Sequence, residues 1–374
     1  MAAERYDVAV VGAGIVGAAC AMELARVGRS VVILEAVDVA SDTSCRAMGH
    51  VGAYDDSPAQ LEFTRFACQL WADLSAELPA EVEYVRRGAL WVAETEEEMA
   101  EVERKHGVYT AAHVPTRVVD ARTLSDLEPN LREGLPGALL VPGDAVVDAA
   151  EATRYLVRRA QSFGAELRVG AAVRGLPTDG PQLKDGTIVR ANRTVLATGW
   201  QAPRLVPSLP IRPRKGHIAL TLPRPGFVRH QVSEVGYVRG AQPENEESIT
   251  FSFQPRTSGK YLIGATRQYV GDSTEVDPRI IERLLARARA FLPAVDQLGI
   301  ERTWAGLRPA GPGAVPIIGP MPGLPHLVLA LAHEGIGITT SIATGRMVTE
   351  TIEGRPTSLP IEPYLPARAG IAAP

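Results

Sequence analysis

Three glycines, Gly12, Gly14 and Gly17, stand at G-x-G-x-x-G spacing within YDVAVVGAGIVGAACAMELARVGRSVVILE, residues 6–35. Each has a distinct task if the turn holds a dinucleotide. Gly12 permits the tight turn, Gly14 removes a side chain where a pyrophosphate must approach the backbone, and Gly17 lets the following helix pack close to the strand. Glu35 comes 18 residues after Gly17. A carboxylate there accepts both ribose hydroxyls and repels a 2′-phosphate, so the pattern favours FAD or NAD over NADP.

Those residues need a strand, a turn, a helix and a second strand, and the surrounding sequence supplies them. Asp7 to Val11 is continuously apolar, as in a strand buried on both faces, and Gly28 closes an amphipathic helix before the strand that ends at Glu35. The next loop, AVDVASDTSCRAMGHVGAYDDSP, falls at the C-terminal edge of the sheet, where ligands sit in open α/β folds. Thr43, Ser44 and Arg46 are candidate hydrogen-bond donors to a cofactor, and caps and turns are the alternative use of such residues. His50 is a site residue or a solvated loop histidine. Only three cysteines occur, Cys20, Cys45 and Cys68, with no C-x-x-C pair, which argues against a disulfide framework or a zinc site, and no metal is expected.

The length of 374 residues suits two domains. Hydrophobic and charged contents of 45% and 22% are those of an ordinary globular protein. A net charge of −4 gives no basic surface for a phosphate backbone, so nucleic acid is not an expected partner. Tyr6 already enters the first strand, leaving no room for a signal peptide, and the longest apolar stretches, such as Leu327 to Ala332, fall far short of a spanning helix. The expectation is a cytoplasmic protein without a transmembrane segment, with peripheral inner-membrane contact left open.

Along the chain, Pro58 to Leu78 reads as a long amphipathic helix, Glu83 to Ala93 as strand-like, and Glu94 to His106 as a charged helix that begins a second domain. Ala138 to Val147, with Asp148 as cap and a helix from Ala149 to Phe163, reads as a return to the first domain. A strand from Ala165 to Val173, a hairpin around Thr178 to Thr187 and the apolar strand Arg193 to Gly199 follow. Gly199 allows close approach at the cofactor's edge. The pieces HIALTL, SITFSF and KYLIGATR, between residues 214 and 270, suggest an antiparallel sheet with the basic helix Pro278 to Leu292 packed on it. The chain finishes with the strand Leu327 to Ala332, a turn from His333 to Gly337, a helix to Ile352 and a proline-rich tail.

Five segments together carry a resemblance: VVGAGIVG with Glu35, LATG at Leu196, LIGATR at Leu262, GLRP at Gly306 with the PIIG that follows, and HEGIGITTSIATG at His333. They resemble the D-amino acid oxidase-like FAD-dependent oxidoreductases, the group with glycine oxidase, sarcosine oxidase and D-hydroxyproline dehydrogenase, over nearly the full chain. The resemblance implies an α/β fold of the glutathione reductase type, in which a Rossmann-like FAD-binding domain is interleaved with a second, mainly antiparallel-sheet substrate domain. The expected boundaries are 1–78, 142–212 and 298–366 for the FAD domain, 79–141 and 213–297 for the substrate domain, and 367–374 for a tail. No second glycine fingerprint is present for NADPH, so the substrate itself is expected to reduce the flavin.

The same resemblance implies site residues. Gly335, Ile336, Gly337, Ile338 and Thr339 match the segment at the flavin ring, where backbone N–H groups and a helix N-terminus favour the anionic reduced flavin. Val173 falls in the cofactor set with Gly199. Arg308 matches the residue that holds the substrate carboxylate, a task suited to a planar guanidinium fork, and Tyr237 matches an assisting tyrosine. Arg46 stands where some relatives carry a flavin-linking histidine, and no cysteine follows Trp304, so noncovalent FAD is expected. The implied activity is oxidation of the amine of a small D-amino acid, glycine or a cyclic imino acid such as D-hydroxyproline, by hydride transfer to flavin N5, giving an imine. Glycine or sarcosine oxidation with O2 is one alternative, and an FAD-holding electron-transfer subunit of a dehydrogenase complex is another. The electron acceptor is O2, a quinone or a partner protein, and homo-oligomers fit as well.

Overall fold

The computed structural model describes residues 5–236, 247–313 and 315–372. Its first sheet has six strands in the spatial order Ile317–Met321, Leu324–Leu331, Ala191–Leu196, Tyr6–Val11, Val31–Glu35 and Glu166–Val169. All neighbours are parallel except the first pair, which is a hairpin. Val10 pairs with Ile33 on one side and Val195 on the other. The continuous apolar run of the first strand follows from burial on both faces. Val8 and Val10 join one core, while Ala9 joins a second on the opposite face.

Small residues set how closely the helices stack. The alanine-rich helix Ile15–Arg26 packs against Gly337–Ile352, and a Cβ on Gly345 would lie 2.5 Å from the Ala19 carbonyl oxygen. Only glycine lets the two helix backbones approach so closely. Ala149–Ser162 flanks the same helix, capped by Asp148, whose carboxylate accepts from Ala150 N at 3.0 Å and Glu151 N at 2.9 Å.

The second sheet has eight strands in the order Ile300–Ala310, Arg212–Thr221, Tyr261–Gln268, Glu247–Pro255, Gln231–Glu234, Ala89–Ala93, Gly137–Val141 and Arg117–Asp120. It is antiparallel apart from the pairing of Gln231–Glu234 with Ala89–Ala93. One face buries Phe251, Phe253 and Tyr261 under the helix Pro278–Phe291, with the Phe251 and Phe291 rings stacked 4.8 Å apart. The residues between them, such as Ser252 and Gln254, therefore point to the opposite face.

Residues 138–141 pair with Ala89–Ala93 in the second sheet, on the second-domain side of the 141/142 boundary, although the stretch they begin reads as a return to the first domain, and Ala145–Val146 turns back to pair with His50–Val51. One segment lies in a different sheet from the one the sequence reading suggests. Ile300–Ala310, grouped with the first domain through residues 298–366, pairs with Arg212–Thr221 along its length. Apolar alternation identifies a strand but carries no information about its partner. Among the described residues, no helix is long and apolar enough to cross a membrane.

Candidate active site

The glycine turn opens a cavity of about 770 Å³ that runs to the face of the second sheet. At the turn, Gly12 has a φ of +104°, and a Cβ there would lie 2.7 Å from the Ala197 carbonyl oxygen. A Cβ on Gly17 would lie 1.9 Å from the Gly12 carbonyl oxygen, so the helix is pressed onto the turn. Gly14 faces the cavity, and the next residue donates its N–H to Ser44 Oγ at 3.0 Å. The first helical turn leaves further N–H groups without i−4 partners, and together they form an anion-binding end.

Glu35 is fixed at the lip of this cradle. Its two oxygens accept Ala13 N at 2.8 Å and Val37 N at 2.9 Å. A carboxylate has about four acceptor positions, so two remain for hydroxyl donors. Val173 and Gly199 line the cavity on either side.

The opposite end is built by the second sheet. Arg308 enters the cavity above Gly216, where a Cβ would lie 2.3 Å from Arg308 Nη1, and that nitrogen donates to the Thr266 carbonyl oxygen at 2.9 Å. The segment from Thr43 to His50 crosses the sheet face. Thr43 Oγ1 donates to the Leu307 carbonyl at 2.7 Å, Arg46 Nη1 donates to the Ala305 carbonyl at 3.0 Å, and Trp304 Nε1 donates to the Arg46 carbonyl at 3.1 Å. Thr43 and Arg46 thus line the cavity while clamping the strand that carries Arg308. Met48 continues the crossing, with its sulfur 2.6 Å from where a Cβ on Gly264 would sit. Cys45 is exposed, its thiol directed to the Asp42 carbonyl, and it does not line the cavity.

The third wall is the turn from His333 into the helix Gly337–Ile352. Gly335, Gly337 and Ile338 line the cavity, and Ile336 caps the helix without a side-chain acceptor. His333 is buried, and its Nε2 donates to Thr344 Oγ1 at 2.9 Å, which itself donates to the Thr340 carbonyl. Burial pushes the His333 pKa down to about 3, so the ring is a neutral bolt between turn and helix.

Around this one cavity the fold gathers Gly12, Gly14, Glu35, Thr43, Ser44, Arg46, Val173, Gly199, Gly335, Gly337, Ile338 and Arg308. Gly17, Ile336 and Thr339 stand behind its wall. Thr339 Oγ1 donates to the His50 carbonyl at 3.0 Å, which ties helix to strand. Tyr237 lies outside the described residues. Sequence reasoning passed over Gly216, Met48 and Ser252, which also line the cavity. Of these only Gly216 carries a signal, since a glycine inside a strand marks close approach by another group.

A dinucleotide cradle with a fixed ribose-type acceptor, opening onto a sheet that presents an arginine, defines a nucleotide-binding protein with a second, cationic end to its cavity. The chain belongs to the FAD dependent oxidoreductase family, whose sequence profile matches residues 7–351. It is 28% identical to glycine oxidase of Geobacillus kaustophilus (strain HTA426), over 96% of each chain. It is 29% identical to a D-amino acid dehydrogenase of Xylella fastidiosa (strain 9a5c), over 81% of this chain and 69% of that one. The solved structure of L-proline dehydrogenase from P. horikoshii superposes with a TM-score of 0.89 at 25% identity, covering 98% of each chain. FAD is therefore the cofactor, and the cradle fits it. The glycine turn leaves room for a pyrophosphate, Glu35 keeps acceptor capacity for ribose hydroxyls, and the cavity continues beyond to hold the ring system.

Proposed function

We propose that this oxidoreductase converts the amine of a small amino acid or imino acid to an imine, with FAD held noncovalently. The observation that carries the reading is the seat of Arg308, whose guanidinium lies in the cavity over Gly216, where any Cβ would displace it. Bound FAD supplies the two-electron acceptor. Arg308 holds the carboxylate through a charge-assisted fork and so fixes the α-carbon. Tyr237 is assigned an assisting role at the same carboxylate. The first N–H groups of the helix Gly337–Ile352 suit a negative charge on the bound group. Thr43 and Arg46 keep the Arg308 strand in register, and His333 ties the turn to the helix.

The names of the similar proteins span glycine, D-amino acids and L-proline. The deciding experiment is anaerobic mixing of the purified yellow protein with glycine, sarcosine, D-alanine, D-proline and D-hydroxyproline, followed by admission of O2. Bleaching by at least one of them is expected, and bleaching by none would refute the reading. Fast reoxidation assigns O2 as acceptor. Slow reoxidation assigns a quinone or a partner protein, and a quinone would bring the protein to the inner-membrane surface.

A further inference from the structure

The seat of Arg308 is held from behind the sheet. Gly216 and Ile218 line the cavity, so His217 between them points to the opposite face, where it is fully buried. There its Nε2 accepts the backbone N–H of Asp277 at 3.1 Å, the residue that caps the helix Pro278–Phe291. Burial, helped by the neighbouring Lys215 charge, pushes the ring's pKa down to about 4, so the imidazole is neutral. A neutral ring whose Nε2 accepts must carry its proton on Nδ1. Nδ1 lies 3.3 Å from Thr266 Oγ1, and the same oxygen accepts the His217 backbone N–H at 2.8 Å. Thr266 is fully buried too, and its carbonyl oxygen is the one that accepts Arg308 Nη1 at 2.9 Å.

The strand pairing shows why side chains are needed here. The register of Arg212–Thr221 against Tyr261–Gln268 shifts between Lys215, opposite Gln268, and Ala219, opposite Ile263. The gap holds residues 216–218 on one strand and 264–267 on the other, so regular pairing lapses where Arg308 lands. The His217 N–H goes to the Thr266 hydroxyl at that point. Resting on the amine-oxidation reading, we propose that His217 is a positioning residue, which together with Thr266 fixes the peptide that seats the Arg308 guanidinium and so sets the angle at which its fork meets a substrate carboxylate. His217 sits on the face away from the cavity, and its effect on the substrate passes entirely through Arg308.

The test separates this role from general support of the fold. Thr266→Val removes the hydroxyl at nearly constant shape, and His217→Leu removes the ring donor. Each should raise KM about tenfold for the amino acid that bleaches the flavin, with kcat little changed, as for one lost hydrogen bond. Each should weaken calorimetric binding of propionate, a carboxylate without an amine, by a similar factor, and leave KM for the matching carboxylate-free amine as in the parent. FAD content should stay at the parent level; should His217→Leu lose FAD, Thr266→Val carries the test. Thr266→Ser keeps the hydroxyl and His217→Asn keeps an N–H near the place of Nδ1, so both should recover most of the loss. Combined with Arg308→Met, Thr266→Val and His217→Leu should add nothing, because no guanidinium is left to position. An added loss in that background, or equal losses with the amino acid and the amine, would overturn the proposal. Unchanged KM and propionate affinity in both variants, with the amino acid still bleaching the flavin, would also overturn it and leave the activity reading standing. Propionate binding that depends on Arg308, Thr266 and His217, with no bleaching by any amino acid, would uphold the seat and overturn the amine-oxidation reading.

Discussion

The two ends of the cavity are built from different materials. The nucleotide end is backbone: Gly12, Gly14 and Gly17 act by lacking side chains, and even Glu35 is held by two main-chain N–H groups. The sheet end is side chain: Arg308 comes from one strand, and Thr43 and Arg46, which clamp that strand, come from a segment some 260 residues away in sequence, so the three meet only in the folded chain. A backbone cradle fails when atoms are added, whereas a side-chain pole fails when they are removed. The two ends should therefore break in different ways.

The largest effect is expected at the cradle. Gly17→Val places a branched side chain where even a Cβ would lie 1.9 Å from the Gly12 carbonyl oxygen, which is backbone and has nowhere to go. The loss should be on the order of 5 kcal/mol, at the diagnostic end for single substitutions, and the protein should be purified colourless or not at all. The flavin-to-protein absorbance ratio and the melting temperature give the answer. A yellow, stable variant would refute the close-packed turn.

The next effect lies at the seam between the ends. Asp144 is buried beside Gly52, and its Oδ1 accepts Ala53 N at 3.3 Å. Burial raises its pKa from the usual 3.8 to about 7. Below about pH 3 the carboxyl is protonated whether the chain is folded or not, and its full contribution to stability is present. As pH rises towards 7 the unfolded chain ionises first, so that contribution is progressively lost, with a ceiling of about 4 kcal/mol. Asp144→Asn keeps the acceptor for Ala53 N and removes the titration. The variant should match the parent near pH 3 and gain on it up to pH 7, as read from denaturant midpoints across that range. Parallel pH profiles would remove Asp144 as the cause.

At the sheet end, Arg308→Met should lower kcat/KM for amino acids about a hundredfold, about 2.7 kcal/mol, with Arg308→Lys between it and the parent because charge survives but the fork does not. FAD content should be unchanged in both variants, and the deficit should vanish with the matching amine that lacks a carboxylate. Equal losses with both kinds of substrate would mean that Arg308 supports the fold and not the carboxylate.

This contrast also decides what the sequence can reveal. The cradle is contiguous, so its glycine spacing, flanking strands and Glu35 are legible within residues 6–35. Arg308 and the turn at His333 were reachable through segment resemblance, because each is a local motif. The hydrogen bonds of Thr43 and Arg46 to a strand some 260 residues away were not, since a polar loop residue looks the same whether it binds a cofactor or a carbonyl.

The smallest effect tests whether the cradle is wholly local, and Ser44 is where that question is sharpest. The helix Ile15–Arg26 starts after Gly14, which has no side chain with which to cap it. The missing acceptor comes from Ser44, 29 residues downstream, on the loop that also carries Thr43 and Arg46 to the sheet end. Ser44→Ala removes that acceptor and leaves the N–H of Ile15 buried without a partner. A lost cap of this kind costs about 1 kcal/mol, a drop of roughly 2 °C in Tm for a chain of this size. Ser44→Thr keeps an oxygen and should recover most of the loss. If Ala and Thr variants melt together with the parent, the helix start needs no help from the loop, and the two ends of the cavity are linked only through the sheet-side contacts of Thr43 and Arg46.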